Sequence, residues 1–332
     1  MTRPRLAAVA ASAVSALILL AGAAQDAKPV KGAVRIDGSS TVYPIAEAIA
    51  EEFSEAAPGV NVTVGMSGTG GGFKRFGAGE TDASNASRPI KPAEADACKA
   101  KGIEFVELPI AYDGLTIVVH KDNTWAKQIT VEQIKKAFGA DGSAKTWKDL
   151  DPSWPDEPLK VYSPGTDSGT FDYFKEVTVG KDGTIRGDMS VSEDDNVLVR
   201  GIEGNRNAIG FFGYAYFQEN KEKLRALAVV NPKTKAAVLP SHETVVDGSY
   251  APFSRPLFLY FNRASLDKPA VAAFASFCLE QGAKLSEEVG YVKLPAAVYD
   301  RAKANLAARR TGSQMIDDKG KERHGALTDL YK

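Results

Sequence analysis

Histidine and cysteine are nearly missing from this chain, and so is any excess of charge. Three histidines leave little material for imidazole catalysis, and the two outside the tail, His120 and His242, stand in no segment that reads as a site. No Cys or His cluster has metal-ligand spacing, and the acidic run Glu193-Asp194-Asp195 lacks the pattern of a calcium loop. That run reads instead as a solvated loop, or as a helix N-terminus capped by Asp195 or Asn196. A formal net charge of −1 argues against a nucleic-acid binder or a general polyanion binder. Any anion site must therefore be built locally. Tandem repeats and internal low-complexity segments are also missing, and outside the N-terminus no apolar run is long enough to span a membrane.

The N-terminus sets the expected compartment. Arg3 and Arg5 precede an uncharged run from Leu6 to Leu20, followed by Ala21-Gly22-Ala23-Ala24. A basic end, a short apolar stretch and small residues predict a signal peptide over 1–24, cleaved near Ala23 to Gln25. The run is shorter than the roughly 20 residues a spanning helix needs, and the region has no Cys for lipid attachment. A soluble exported protein, most simply periplasmic, is expected. Such a compartment permits a bridge between Cys98 and Cys278; two buried free thiols in helices are the plainer expectation.

The 332 residues suffice for two buried cores. Val34–Ile36 reads as a strand running into Asp37-Gly38-Ser39-Ser40-Thr41, then a helix with Ile45, Ile49 and Phe53 on one stripe and Pro44 in its first turn. Val60, Val62, Val64 and Met66 alternate as a strand that ends in Ser67-Gly68-Thr69-Gly70-Gly71-Gly72, with a helix opening at Phe73. Asp82–Pro89 is a third polar strand end, with a helix from Pro92 to Gly102. Ile103–Leu108 and Tyr112–His120 read as two strands, Thr130 as a capping-box residue for a helix to Phe138, and Leu159–Ser163 as a strand. That strand delivers Gly165-Thr166-Asp167-Ser168-Gly169-Thr170, followed by Phe171, Tyr173, Phe174 and Val177 at helical spacing. Leu257–Phe261 is a strand, Pro269–Gln281 and Pro295–Ala308 are helices, and the tail beyond Arg309 reads as loose. The alternation predicts an α/β architecture with a mainly parallel sheet, in which ligands bind beyond the carboxyl ends of strands.

The glycine loops are not nucleotide cradles. The Gly68–Lys74 segment lacks the P-loop ending, and counting Gly-x-Gly-x-x-Gly from Gly68 puts Phe73 at the last glycine. Ser168 lacks the glycine two residues before it that a nucleophile elbow requires. Each hydroxyl-rich loop could simply cap its own helix. Three at strand ends, in separate parts of the chain, point to one shared ligand. Their backbone N–H groups and hydroxyls suit a tetrahedral oxyanion, which must be fully hydrogen-bonded to leave water. Arg88 is the only cation within such a strand end, with a surface ion pair as the alternative use.

The segments Asp37–Pro44, Ser67–Phe76, Ala86–Ile90 and Pro164–Phe171, with Asn205–Tyr214, resemble the phosphate-binding protein of the high-affinity phosphate ABC transporter (PstS type) over nearly the whole mature chain. The resemblance implies a type II, two-lobed periplasmic binding protein with mixed sheets and flanking helices. Such a protein closes by hinge motion on inorganic phosphate and delivers it to a membrane permease. It implies crossings near Gly114–Val119 and Tyr250–Leu257, with 25–115 plus 255–332 as one lobe and 116–254 as the other. By motif position it implies ligand contacts from Ser39, Ser40 and Thr41; from Ser67, Thr69 and Gly70; from Ser87 and Arg88; and from Asp167, Ser168, Gly169 and Thr170. It implies a monomer with no cofactor, no metal and no catalysis. Two departures stand out: Ser87 occupies the place of an Asp that accepts the ligand's proton in the better-known branch, and Pro164 that of an anion-binding Arg. A second branch, with Ser-Arg-Pro and Pro-Gly-Thr-Asp-Ser-Gly-Thr, fits this chain better. Arg88 is then the expected cation, and Asp167 or Asp195 the expected proton acceptor. An exported phosphatase on the same fold, or a binder of another tetrahedral oxyanion, are the alternatives.

Overall fold

A computed structural model describes residues 30–141, 144–166, 168–180, 182–192, 194–323 and 325–332. The signal-peptide segment and Asp167 lie outside the described residues.

The first half-sheet is built from β1 (Gly32–Gly38), β2 (Val60–Met66) and β3 (Ala83–Ala86), all parallel, with the helices α1 (Tyr43–Ala56), α2 (Gly68–Gly77) and α3 (Pro92–Ala100) following in turn. α1 buries Ile45, Ile49 and Phe53 as its periodicity requires, and Pro44 sits in the first turn where its missing N–H breaks no bond. The long β4 (Phe105–His120) comes next, then β5 (Gln128–Ile129), α4 (Val131–Phe138), α5 (Trp147–Leu150) and β6 (Lys160–Pro164). α4 starts with the expected capping box, the Gln133 N–H on Thr130 Oγ1 at 3.1 Å and the Thr130 N–H on Gln133 Oε1 at 2.9 Å. The chain continues through α6 (Gly169–Thr178), β7 (Ser190–Ser192), α7 (Asp195–Glu203), β8 (Ala208–Gly213), α8 (Tyr214–Asn220) and the short β9 to β11 (Leu224–Ala226, Ala228–Val230, Ala237–Val238). It ends with α9 (His242–Val246), β12 (Ser254–Asn262), α10 (Pro269–Glu288), α11 (Ala296–Ala307) and α12 (Leu327–Leu330).

The strands order as β2-β1-β3-β12-β4-β8-β6-β7, with β9 also on β4 and a small separate sheet β11-β10-β5. β4 joins the two halves. Up to Gly114 it pairs antiparallel with β12, and from Leu115 onward with β8. It is one strand, not two: every residue from Phe105 to Val119 is buried, and Pro109 is accommodated where the β12 register shifts between Leu257 and Phe258.

Other expectations are corrected by packing. α2 begins at Gly68, inside the glycine run, because the helix lies against the end of β1. A Cβ on Gly72 would meet Gly38 Cα at 2.5 Å. α10 continues past Gln281 to Glu288, and Gly282 serves close packing, its missing Cβ leaving room for Ile110 Cδ1. β12 begins at Ser254, ahead of Pro256. Asp194, not Asp195 or Asn196, caps α7. The tail is tied down. Ser313 Oγ and the Gln314 N–H donate to the Glu107 carboxylate, and the Tyr331 hydroxyl donates to the Glu107 carbonyl at 2.7 Å. Cys98 and Cys278 are both buried free thiols.

Candidate functional site

Parallel pairing of β1, β2 and β3 brings their carboxyl ends to one side, where the loops after them are stitched together. The Ser39 N–H donates to Asn85 O and the Ser67 N–H to Gly38 O, both at 3.1 Å. Thr69 Oγ1 and Ser87 Oγ lie 3.1 Å apart, and the Ser87 N–H donates to Thr69 Oγ1 at 3.2 Å. Asp37, which is buried, accepts on one oxygen from Ser67 Oγ at 3.0 Å and from Arg75 at 2.5 Å. These bonds make a rigid floor of N–H and hydroxyl groups.

Across from this floor lies α6, whose N-terminus is delivered by β6. Between them is a cavity of 280 Å³ lined by Ser39, Ser40, Gly68, Thr69, Gly70 and Arg88 on one side and by Asp172, Lys175 and Glu176 on the other. The walls touch: Ser40 Oγ donates to Asp172 Oδ2 at 3.0 Å. Arg88 is clamped by Glu94 through two bonds of 2.8 Å and lies over the Phe73 ring. Partial burial pushes the Glu94 carboxyl up, but the Arg88 bonds outweigh it and hold it below the ordinary range.

Of the residues expected at the site, Ser39, Ser40, Thr69, Gly70 and Arg88 line this cavity. Ser87 stands behind Thr69, and the Ser67 hydroxyl is turned to Asp37. Thr41 is buried and accepts from Arg255 Nη2 at 3.0 Å, while its carbonyl accepts from the Tyr291 hydroxyl at 2.6 Å. Ser168 caps α6, taking the Phe171 N–H on its Oγ at 3.4 Å, and Gly169 opens that helix. Thr170 lines a neighbouring cavity of 370 Å³, together with Asp113, Asp195 and Tyr291. Asp195 is thus brought to Thr170 rather than to Ser40. Among the described residues no group of three His, Cys, Asp or Glu side chains is arranged to hold a metal ion.

Several residues escaped sequence reasoning. Asp172, Lys175 and Glu176 share one stripe of α6 beside the one that buries Phe171 and Phe174; the apolar stripe was legible, and the polar residues flanking it mark the wall facing the cavity. Arg255 stands ahead of Pro256 and of the apolar run Leu257–Phe261, where no local pattern marks it as part of the strand. It is largely buried, with Asp113 Oδ2 at 3.3 Å from its Nε, Glu176 Oε2 at 3.9 Å from its Nη1, and the Tyr173 ring 3.5 Å beneath its Cζ. Burial pushes the Asp113 carboxyl up, and the Arg255 guanidinium beside it only partly offsets that.

The strand order and the cavity between two half-sheets agree with a family model described as a PBP superfamily domain, which matches residues 23–281. The fold is thus that of the periplasmic-binding-protein class. SphX of Synechococcus elongatus is 51% identical over 311 residues, covering 93% of this chain and 90% of that protein. The phosphate-binding protein PstS of Staphylococcus haemolyticus is 42% identical over 273 residues, 82% of this chain and 84% of that one. The crystal structure of a possible phosphate binding protein from Planctomyces limnophilus superposes with a TM-score of 0.82 at 46% identity, over 85% of this chain and 99% of that one. The chain belongs to the SphX and PstS family of phosphate-binding proteins.

Proposed function

We propose that this protein binds inorganic phosphate between its two half-sheets and delivers it to the membrane permease of an ABC importer. The observation that carries the reading is the 280 Å³ cavity, in which hydroxyls and helix-start N–H groups from the β1 and β2 loops face the polar stripe of α6. A phosphate needs that supply of donors from more than one side. The family's named members point to the same ligand.

The lobes of this reading are 25–115 with 255–332, and 116–254. Their hinge is where β4 exchanges β12 for β8, and the pairing change between Gly114 and Leu115 supports it. Ser168, Gly169 and Thr170 stand at the start of α6 and join the ligand when the lobes close. The protein acts as an exported, periplasmic monomer without catalysis. No helix among the described residues is long and apolar enough to cross a membrane.

Calorimetric titration of the purified chain with phosphate and with sulfate tests the proposal. Saturable phosphate binding with sulfate much weaker is expected. Equal affinity for both would make it a binder of another oxyanion, and sustained turnover of a phosphate monoester would make it an enzyme.

A further inference from the structure

Arg255 occupies a position that ligand binding alone does not explain. It lies directly opposite Asp113, and the next pair, Ser254 opposite Gly114, is the last between β12 and β4 before β4 changes partner. From this pivot the guanidinium reaches both walls. Nη2 donates to Thr41 Oγ1 at 3.0 Å, in the loop after β1. Tyr173 and Glu176, on α6, supply the ring beneath it and a carboxylate 3.9 Å away. Tyr173 is itself anchored, its hydroxyl donating to Pro252 O at 2.5 Å, just before β12.

A threonine oxygen that accepts from a guanidinium must point its own hydrogen elsewhere. The charge-assisted bond holds the Thr41 side chain, and with it the loop after β1, against the guanidinium. A planar fork can hold Thr41 and Asp113 together, because its Nε and Nη2 donors are rigidly spaced; an ammonium cannot. We infer that Arg255 is the positioning residue of the phosphate site: through its bond to Thr41 it ties the loop after β1, by way of the hinge pair with Asp113, to the closing helix α6. This inference rests on the phosphate-binding reading above. Arg255 acts through Thr41 and through the pivot, so its contribution lies in holding the closed state rather than in the first encounter.

The test is a double-mutant cycle on the full mature chain, with phosphate affinity from calorimetry and rates from stopped-flow. Arg255→Met should weaken phosphate binding about 10- to 100-fold, as expected for loss of a charge-assisted bond, with most of the loss in the dissociation rate. In a Thr41→Val background the same change should cost less than about 3-fold, because the tie between Arg255 and the β1 loop is already gone. Arg255→Lys should keep the association rate and its salt dependence but still dissociate faster than wild type. It also serves in the cycle if the Met variant does not fold. Equal losses in both backgrounds, or a loss confined to the association rate, would overturn the inference while leaving phosphate binding intact. A wild-type chain that does not bind phosphate would overturn the function and this inference with it.

Discussion

The Ser40 hydroxyl and the Asp172 carboxylate meet across the cavity at 3.0 Å, so an acidic side chain holds the donor that an oxyanion would use. The contact joins the β1 loop to α6 directly. On the phosphate-binding reading, Asp172 would compete with the ligand for Ser40 and, as a carboxylate, would disfavour a ligand that has no proton to offer. Sulfate is such a ligand; hydrogen phosphate is not. Asp172→Asn is expected to raise sulfate affinity about 3- to 10-fold with a smaller change for phosphate, narrowing the selectivity. Paired calorimetric titrations at neutral pH measure this, and an unchanged ratio of the two constants contradicts it.

A pH dependence of stability follows from Glu107. Burial pushes its carboxyl up to about 7, against the Ser313, Gln314 and Tyr260 hydrogen bonds that pull it down. A carboxyl raised in the folded state binds its proton more tightly there than in the unfolded chain. Its stabilisation is fully present below the ordinary value near 4.5 and is lost as pH rises through about 7, on the order of 3 kcal/mol in total. Subtracting the Tm-against-pH curve of Glu107→Gln from that of wild type should leave a difference that declines from acid to neutral pH. Parallel curves would show that Glu107 does not titrate in this way.

Gly72 tests why the glycine run exists. A methyl group there would meet the backbone of Gly38 at 2.5 Å and of Asp37 at 2.8 Å, atoms that cannot move aside without shifting β1. Gly72→Ala is expected to cost about 1–3 kcal/mol in unfolding free energy and to weaken phosphate binding, since α2 carries Thr69 and Gly70. Gly70→Ala, where a Cβ meets nothing within 4 Å, is the control for stability. Chemical denaturation of the two variants should separate them clearly.

The thiols offer a direct check on the fold. Cys98 and Cys278 are buried, free and pushed up by burial, the first to about 11. Neither should react with a disulfide reagent at pH 8 in the native protein, and both should react on unfolding without reductant. A native chain that releases thiols only after reduction would contain a bridge.

Much of the fold was legible because it depends on local pattern. Ile45, Ile49 and Phe53 recur at helical spacing, and the Thr130–Gln133 box announces its helix. Pro109 and Gly282 misled for a common reason. Each is a local signal of interruption, and each is outweighed by a neighbour distant in sequence: Phe258 at a register shift for the proline, Ile110 in close contact for the glycine. The tail looked loose because its polar composition conceals the buried carboxylate of Glu107, to which Ser313 and Gln314 bind.

By itself the sequence determined the α/β alternation, the hydroxyl and glycine loops at strand ends, and the resemblance that named their ligand. Each separate signal, a periodicity, a loop or a motif, is carried by residues within about a dozen positions of one another, and the resemblance is the sum of several such motifs along the chain. Tertiary structure decided which of those loops share a cavity and what completes it. Ser39, Ser40, Thr69, Gly70 and Arg88 come together because β1, β2 and β3 run parallel, and α6 adds Asp172, Lys175 and Glu176 from the other half-sheet. Arg255 reaches Thr41 from 214 positions away. No periodicity or motif encodes such a contact, because it exists only once β12 has returned to lie between β3 and β4.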